Sequence, residues 1–406
     1  MIKQHVFIVG AKSLGAYGGY ETFVDKLTEN HKDIGKIQYH IACKANGIGA
    51  MDIDHNSKIN KISDTEFTYN NAHCFLIKVP NIGPFSAIYY DVKSLYYCLN
   101  YIKNNNIESA IVYILACRIG PFIKYFNRKF HELGAKIYIN PDGHEWMRAK
   151  WTYLVKKYWK LSEKLMVKYS DLVICDSKNI ENYIHECYDN NGITHQSPKT
   201  TYIAYGADIS CSELSNDSES YLNWQSKFGI KNNRYYLIVG RFVPENNYET
   251  MIREFMISKS KKDLVIITNS NPKLYRKLHT KLHFTNDQRI KFVGTVYNQQ
   301  LLKKIRENAF AYIHGHEVGG TNPSLLEALA STKMNLLLDV GFNREVAEDS
   351  ALYWNKTEHS LSNIIDKLEN NEIDYSSLGK KSRERIEKYY SWKYISDLYS
   401  ECFNCK

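Results

Sequence analysis

The chain has 406 residues, of which 44% are apolar and 24% are charged, and its formal net charge is +9. This length suits two domains, and the composition is that of a folded globular protein rather than a disordered chain. No stretch approaches the roughly 18 consecutive apolar residues that predict a membrane-spanning helix. The positive charge predicts an anionic partner, either a nucleotide, a membrane surface or a nucleic acid.

The nine cysteines are an odd number spread along the chain. This pattern favours reduced thiols in a cytosolic protein over a framework of disulfides. Charge alone also fits a nucleic-acid binder, but no recognition module supports one, so we predict no nucleic-acid partner.

The first half of the chain alternates buried-strand signals with helical patterns. Strands are predicted at Val6–Val9, Ile37–Cys43, Cys74–Val79, Ala110–Leu115, Ile137–Ile139 and Leu172–Cys175. Helices are predicted from about Glu21 to Glu29 and from Ser86 to Ile102. This alternation predicts an α/β domain with a doubly wound, mostly parallel sheet.

Two segments of this half are candidate ligand sites. A loop containing Gly18 and Gly19 follows the first strand, and its glycines allow backbone N–H groups to approach an oxyanion closely. A flexible turn is the alternative.

Asp142 and His144 follow the strand that ends at Ile139, at the carboxyl edge where such sheets bind ligands. There the alternative is an aspartate turn beside a surface histidine.

The stretch Lys150–Tyr169 is the most amphipathic in the chain. Its apolar residues are Trp151, Leu154, Val155, Tyr158, Trp159, Leu161, Leu165, Met166 and Tyr169, and its lysines include Lys156, Lys157, Lys160, Lys164 and Lys168. Tryptophan and lysine at opposite margins suit a helix that lies in a membrane interface beside anionic lipid. A core helix with a solvated lysine face explains the same pattern.

The second half repeats the alternation after a linker that reads TTYIAYGADI. Its strands are predicted at Tyr235–Val239, Leu264–Thr268, Ile290–Val293, Ala309–Ile313 and Met334–Leu338. The segment from Leu378 to Cys405 is predicted to be helical with an aromatic face.

The segment His314–Ala330, HGHEVGGTNPSLLEALA, joins a strand end to a helix start. Asn322 is predicted to cap a helix that begins at Pro323. The turn Gly319-Gly320-Thr321 and this helix N-terminus form a site for an anion, because first-turn N–H groups lack backbone partners. Glu327 projects away from the leucines of the helix and is predicted to be free to face a ligand. An ordinary crossover with Glu327 in solvent is the alternative.

Arg241 follows the strand Tyr235–Val239. An arginine there can clamp a diphosphate through two parallel hydrogen bonds, whereas its simpler role is a salt bridge. His314 and His316 have H-x-H spacing, but no third ligand accompanies them, so no metal site is predicted.

The string GGTNPSLLEALA resembles the nucleotide-sugar-binding segment of the retaining GT-B glycosyltransferases of family 4. The resemblance implies two Rossmann-like, doubly wound domains that face each other across a cleft, with a C-terminal helix that crosses back. It places an acceptor-binding domain at 1–202, a nucleotide-sugar-binding domain at 203–385 and the returning helix at 386–406.

The same resemblance assigns roles in the second domain and shows two departures. Glu327 takes the place of a glutamate that holds the donor ribose hydroxyls, and Thr295 is expected beside the nucleobase. The family's first glutamate falls on Gly319, and whether Glu317 substitutes for it stays open. Asn246 stands where the family has a lysine, so it would contribute a neutral hydrogen bond to the donor.

In the first domain the resemblance places the loop of Gly18 and Gly19 opposite the donor diphosphate. Asp142 takes the position of a cleft-lining histidine, and His144 is two residues beyond it. Either could accept the hydrogen bond of the attacking hydroxyl or position the sugar. With Arg241 and Glu317, these two residues form the predicted catalytic set.

Three longer strings, Val6–Leu27, NPDGHEWMRAKW and VGRFVPENNYETMIREF, resemble bacterial capsular β-1,4-rhamnosyltransferases. This likeness implies metal-independent transfer of L-rhamnose from dTDP-rhamnose, without a cofactor, to lipid-linked glucose on undecaprenyl diphosphate. It also implies a cytoplasmic protein held peripherally at the inner face of the cell membrane during capsule assembly.

Other functions remain open on the same residues. One is the same fold with another nucleotide sugar or an N-acetylglucosaminyl lipid acceptor, as in rhamnan synthesis. The other is a non-catalytic GT-B subunit that binds a partner transferase, because the first glutamate and the lysine are absent.

Overall fold

The computed structural model describes residues 3–16, 18–148, 151–189 and 197–404, which fold as two α/β units. The first unit is Met1–Tyr205 together with Trp392–Lys406, and the second is Gly206–Ser391. Lys150 of the predicted amphipathic helix and Cys405 of the predicted terminal helix lie outside the described residues.

The first unit is built on a nine-stranded sheet. Its strands are β1 (Gln4–Val9), β2 (Ile37–Lys44), β3 (Ile59–Lys61), β4 (Glu66–Tyr69), β5 (Ala72–Ile77), β6 (Ile111–Leu115), β7 (Lys136–Asn140), β8 (Leu172–Cys175) and β9 (Thr200–Tyr202). Its helices before the linker are α1 (Gly19–His31), α2 (Phe85–Asn104), α3 (Gly120–His131), α4 (Tyr153–Tyr169) and α5 (Lys178–Tyr188).

The strand order is β3-β4-β5-β2-β1-β6-β7-β8-β9, and all neighbours are parallel except the pairs β3–β4 and β4–β5. The prediction of a doubly wound, mostly parallel sheet is confirmed. The linker prediction is wrong at its start, because Thr200–Tyr202 pairs with β8 as the edge strand β9.

The second unit has a six-stranded, fully parallel sheet in the order β12-β11-β10-β13-β14-β15. Its strands are β10 (Tyr235–Val239), β11 (Asp263–Ile267), β12 (Ile290–Gly294), β13 (Ala311–His314), β14 (Asn335–Leu338) and β15 (Leu352–Trp354). Its helices are α6 (Glu219–Phe228), α7 (Tyr248–Ile257), α8 (Pro272–Leu282), α9 (Gln299–Glu307), α10 (Pro323–Ser331), α11 (Gly341–Ala347), α12 (Ser360–Glu369) and α13 (Leu378–Tyr389). Every residue of β10 is buried, as helices on both faces of a parallel sheet require.

The segment predicted to be helical, Leu378–Cys405, forms two helices within the described residues. Helix α13 ends at Tyr389, and a separate helix, α14 (Trp392–Asn404), follows. The helical conformation ends at Tyr390, whose carbonyl accepts a hydrogen bond of 2.7 Å from the N–H of Ala207. Helix α14 belongs to the first unit and packs the predicted aromatic face against α1 and β6, where Tyr399 contacts Phe23 and Tyr113.

Three histidines form a hydrogen-bonded row across β1, β2 and β5. His5 Nδ1 lies 2.9 Å from His40 Nε2, and His40 Nδ1 lies 3.1 Å from His73 Nδ1. At the far end His73 Nε2 is 3.5 Å from the carboxylate of Glu66. Burial, together with the other two histidines, lowers the pKa of His40 to about 3. His40 is therefore neutral at pH 7.

Acid is expected to destabilise the first unit through His40. Its folded-state pKa lies below the ordinary value of 6.5, so the unfolded chain binds the proton first and stability is lost as the pH falls below that value. At pH 5 this loss is about 2 kcal/mol, since one pH unit is worth about 1.4 kcal/mol. The change His40→Gln keeps hydrogen-bonding groups that do not titrate. We expect its urea unfolding free energy to differ less between pH 7.5 and pH 5 than that of the wild type, and an equal difference would contradict this role.

Candidate active site

The predicted residues of the second unit follow the two strands at which its sheet changes winding direction. From β10 the chain proceeds outward through β11 and β12, whereas β13 leads to β14 and β15 on the other side. Ligands bind at the carboxyl ends of such a strand pair in open parallel sheets. Arg241 follows β10, and the 315–322 segment follows β13, so both lie at this edge.

Asn246 connects these two segments. Its amide nitrogen donates a hydrogen bond of 2.7 Å to the carbonyl of Arg241, and its amide oxygen is 2.7 Å from His316 Nδ1. Both groups of the side chain are therefore used inside the protein. Asn246 fixes the loops at this edge, and its expected hydrogen bond to a donor stays a prediction.

The contact with Asn246 also determines the tautomer of His316. A backbone carbonyl accepts only, so the amide must present its NH₂ to Arg241 and its oxygen to His316. The oxygen in turn accepts only, so His316 carries a hydrogen on Nδ1. Gly315 beside it admits no side chain, because a Cβ there would lie 2.5 Å from the Asn246 carbonyl.

His314, at the end of β13, is 4% exposed, and burial lowers its pKa well below the ordinary value. Its Nδ1 lies 3.4 Å from the hydroxyl of Tyr312, which donates to the Val239 carbonyl at 3.0 Å. Because that hydroxyl has donated its hydrogen, it accepts from His314 Nδ1. The other nitrogen, Nε2, is then a buried acceptor, and it has no partner among the described residues.

Helix α10 begins as predicted. Its first residue is Pro323, and Asn322 Oδ1 accepts from the N–H groups of Ser324 at 2.9 Å and Leu325 at 3.4 Å. This cap changes the predicted anion site, because it occupies N–H groups of the first turn. The N–H groups of Gly319 and Gly320, in contrast, donate to no residue that the structure describes.

Two other predicted groups at this edge are half-buried or buried. Thr321 is 4% exposed. The carboxylate of Glu317 forms an ion pair with Lys356, which follows β15, and its N–H donates to the Glu245 carbonyl at 3.2 Å. Glu317 is thus held beside the turn, and its replacement of the missing first glutamate stays a prediction.

The Glu327 carboxylate, which is predicted to be free to face a ligand, forms an ion pair within the domain. Its Oε2 lies 2.6 Å from Nη2 of Arg306 on α9. Arg306 is 2% exposed, whereas the Glu327 side chain keeps 32% exposure. Sequence patterns missed Arg306, because it lies in the regular helix α9 and nothing in its neighbours marks it as a partner of Glu327.

Arg241 has no such partner. Its side chain is exposed, and within the described part of the chain no group forms an ion pair or hydrogen bond with its guanidinium. The salt-bridge alternative is therefore absent. Thr295 is also exposed, directly after β12, and donates at 3.3 Å to the Thr268 carbonyl at the same edge.

In the first unit, Gly18 and Gly19 mark the start of α1. A Cβ at Gly18 would lie 2.1 Å from the carboxylate of Glu21, and that carboxylate accepts the N–H of Lys12 at 3.2 Å. The N-terminus of α1 thus already faces a negative charge of its own helix. A phosphate at this loop would have to compete with Glu21.

Asp142, Gly143 and His144 form a left-handed turn after β7, with φ angles of 56°, 49° and 50°. Non-glycine residues in this region cost about 1–2 kcal/mol each, a strain typical of functional sites. Burial raises the pKa of Asp142, and Arg148 at 3.8 Å acts in the opposite direction. His144 lies 4.1 Å from the Tyr183 ring, and burial lowers its pKa.

A buried ion pair that the sequence analysis missed lies where the first sheet changes direction, between β1 and β6. Arg118 follows β6 and is 3.0 Å from Asp91, which is fully buried. The Tyr20 hydroxyl is also buried and has no hydrogen-bond partner in the described ranges. The rule that identified Arg241, an arginine directly after a buried strand, would also have identified Arg118.

Two family models cover these units. Residues 3–208, half of the chain, match the family described as Domain of unknown function (DUF1972), and residues 221–385 match Glycosyl transferases group 1. The chain belongs to the DUF1972 family and carries a glycosyl transferases group 1 domain. No curated protein matches it.

Solved structures share this fold over nearly their whole length. Sucrose-phosphate synthase from Thermosynechococcus elongatus has a TM-score of 0.72 at 14% identity, with 100% of both chains covered. Anabaena HepE in complex with UDP and glucose has a TM-score of 0.72 at 12% identity, also with 100% of both chains covered. A glycosyltransferase from Rickettsia africae has a TM-score of 0.70 at 13% identity, covering 99% of this chain and 98% of that one. This likeness confirms the expected GT-B fold class.

The pairing of Glu327 with Arg306 gives a stability prediction for the group 1 domain. Glu327→Ala leaves Arg306 buried without a counter-charge, so we expect a loss of about 3 kcal/mol in unfolding free energy. Glu327→Gln keeps an oxygen for Arg306 and is expected to lose about 1 kcal/mol. Urea unfolding of the two variants beside the wild type measures the difference. Equal losses would show that the buried Arg306 does not require the negative charge of Glu327.

Proposed function

We propose that this protein is a retaining, metal-independent transferase that moves L-rhamnose from dTDP-rhamnose to lipid-linked glucose on undecaprenyl diphosphate, for capsular polysaccharide. The group 1 domain and the GT-B fold support glycosyl transfer. Rhamnose, thymidine and the acceptor rest on the resemblance to capsular rhamnosyltransferases. HepE, whose structure contains UDP and glucose, supports a nucleoside diphosphate hexose as the donor class.

The unpaired guanidinium of Arg241 is the observation that carries the proposal. Loss of the diphosphate from the sugar develops negative charge on its oxygens, and groups already fixed in place stabilise such charge best. Arg241, the N–H groups of Gly319 and Gly320, and the dipole of α10 supply positive charge at one sheet edge. In a retaining front-face reaction the leaving phosphate also takes the acceptor's proton, so a pair of catalytic carboxylates is not required.

A non-catalytic subunit is the second candidate function. The amide of Asn246 is committed to Arg241 and His316, so the family's lysine charge is not replaced there. Gly319 likewise supplies no carboxylate. The same fold with another nucleotide sugar, or with an N-acetylglucosaminyl lipid acceptor, is a third reading of the residues.

Turnover separates these candidates. The assay combines the protein with dTDP-rhamnose and lipid-linked glucose, with EDTA in one arm, after a thermal-shift screen across nucleoside diphosphates and their sugars. We expect turnover that EDTA does not abolish. Nucleotide binding without turnover would favour the non-catalytic subunit. Thermal stabilisation by a different nucleotide sugar would identify that sugar, and not dTDP-rhamnose, as the donor.

Arg241→Gln is expected to lower kcat about a hundredfold, because one preorganised donor to a developing anion is worth roughly 3 kcal/mol. Arg276→Gln is the matched control, since Arg276 is an exposed arginine on the neighbouring helix α8. We expect the control to keep wild-type kcat in the same assay. Equal kcat values for both variants would show that Arg241 does not take part in the reaction.

An anionic membrane surface is the further partner that we propose, and the outer surface of α2, α3 and α4 supports it. These helices pack on one face of the first sheet. Large apolar side chains exposed on them are Phe85, Tyr89, Tyr96, Phe122, Tyr125, Tyr153, Leu154 and Leu161. Exposed cations among them are Lys93, Lys124, Arg128, Lys157, Lys160 and Lys168. The acidic residues within these helices, Asp91 and Glu163, are both buried. The exposed carboxylate of Glu132, which follows α3, pairs with Arg128 and Lys129, so the cations outnumber the exposed carboxylates on this surface.

Helix α4 is a core helix only in its C-terminal half. Its buried residues are Ser162, Glu163, Met166 and Val167. Leu154 and Leu161 are 76% and 51% exposed. Trp151 and Trp159 are half-buried with their rings 6.0 Å apart, so the leucines are the better probes of a membrane contact. No helix within the described residues is long and apolar enough to cross a bilayer.

Flotation with lipid vesicles tests this surface. We expect the wild type to float with vesicles that contain phosphatidylglycerol and not with pure phosphatidylcholine. The double change Leu154→Ser and Leu161→Ser should reduce flotation several-fold, because two exposed apolar side chains are lost. Leu222→Ser, which removes a 45% exposed leucine from the second unit, is expected to float normally. Unchanged flotation of the double variant would contradict the proposed contact.

A further inference from the structure

The ion pair of Arg306 and Glu327 leaves a buried polar group without a hydrogen-bond partner among the described residues. Arg306 Nη2 lies 2.6 Å from Glu327 Oε2 and 3.4 Å from the Ser324 hydroxyl. Its Nε is buried and has no partner among the described residues. On the other side, Glu327 Oε1 accepts from no group in the described part of the chain.

Arg289 shows what a structural pair looks like in the same unit. Its Nε and Nη2 bind the two oxygens of Asp287 at 2.9 and 2.6 Å, and its Nη1 donates to the Ser260 carbonyl at 2.6 Å. Every edge of that guanidinium is used. A buried ion pair stabilises a protein only when its remaining donors and acceptors are also satisfied. Arg306 and Glu327 do not meet that condition in the structure without a ligand.

The exposure of the two partners is also unequal. Arg306 is 2% exposed, whereas Glu327 keeps 32% exposure beside the start of α10. The arginine is therefore fixed in the protein, and only the carboxylate can reach a ligand. Through the Ser324 hydroxyl, which donates to the Val239 carbonyl at 3.1 Å, the arginine is also connected to the end of β10.

We propose that Arg306 is a positioning residue for the nucleotide. It holds Oε2 of Glu327 in an ion pair and leaves Oε1 to accept hydrogen bonds from hydroxyls of the nucleotide's ribose or deoxyribose. This inference rests on the proposed function and on the family resemblance, which places the donor ribose hydroxyls at Glu327. It adds that discrimination for those hydroxyls depends on a side chain that does not touch the ligand.

The test compares nucleotides with and without the hydroxyls. Calorimetry measures the Kd of dTDP against 3′-deoxythymidine diphosphate, and of UDP against 2′,3′-dideoxyuridine diphosphate, and the tighter-binding pair is used. For the wild type we expect the parent to bind at least about tenfold more tightly, as a charged hydrogen bond implies. For Arg306→Met we expect the ratio of the two Kd values to fall close to one, because only the parent nucleotide binds more weakly. Arg306→Lys keeps the charge without the planar fork and should give an intermediate ratio.

Arg289→Met is the matched control. It removes a half-buried arginine–carboxylate pair that is fully hydrogen-bonded, so it should lower the unfolding temperature and leave the ratio of the two Kd values unchanged. If wild-type protein binds none of the nucleotides, the proposed function fails. If the wild type prefers the parent nucleotide and Arg306→Met shows the same preference, the positioning role is wrong. If Arg306→Met does not fold, the same comparison is made with Arg306→Lys. Equal weakening of both nucleotides also overturns it, because that is the effect of a purely structural residue.

Discussion

The amide of Asn246 is the contact on which the candidate site of the second unit depends. It ties the loop after β10 to the loop after β13 by giving its donor to one and its acceptor to the other. A lysine has three donors and no acceptor, so it could bind the Arg241 carbonyl but could not accept from His316. The change from the family's lysine to asparagine thus exchanges a positive charge for a rigid connection. Gly315 belongs to the same arrangement, since the two loops approach too closely for a Cβ.

The cap of α10 illustrates why a correct local prediction can alter a functional one. The sequence predicts that Asn322 caps the helix and also that the first-turn N–H groups are available to an anion. These two roles use the same donors, and the side chain in the structure has taken those of Ser324 and Leu325. The donors that remain are in the turn itself, at Gly319 and Gly320. The dipole of α10 still acts there, because a capping side chain does not cancel the summed peptide dipoles.

Sequence reasoning succeeded where one element carries its own signal. Continuous apolar runs such as Tyr235–Val239 predict buried parallel strands, because both faces of such a sheet are covered. The rule that ligands bind at carboxyl ends then located Arg241 and the segment after β13. Short strands such as β3 (Ile59–Lys61) were missed, since three residues of mixed polarity form a strand only through their pairing with a neighbour. For the same reason no local pattern could reveal that Arg306 reaches Glu327 or that Asn246 reaches His316.

The groups at the edge of the second sheet divide into donors and acceptors. Arg241 and the N–H groups of Gly319 and Gly320 can only donate. The unpartnered Nε2 of His314, which is neutral because of its burial, and Oε1 of Glu327 can only accept. A nucleoside diphosphate sugar is complementary to such a set, since its phosphate oxygens accept and the hydroxyls of its two sugars donate. A free phosphate would satisfy only the donors and a neutral sugar would use mainly the acceptors, so the combination favours a ligand that contains both.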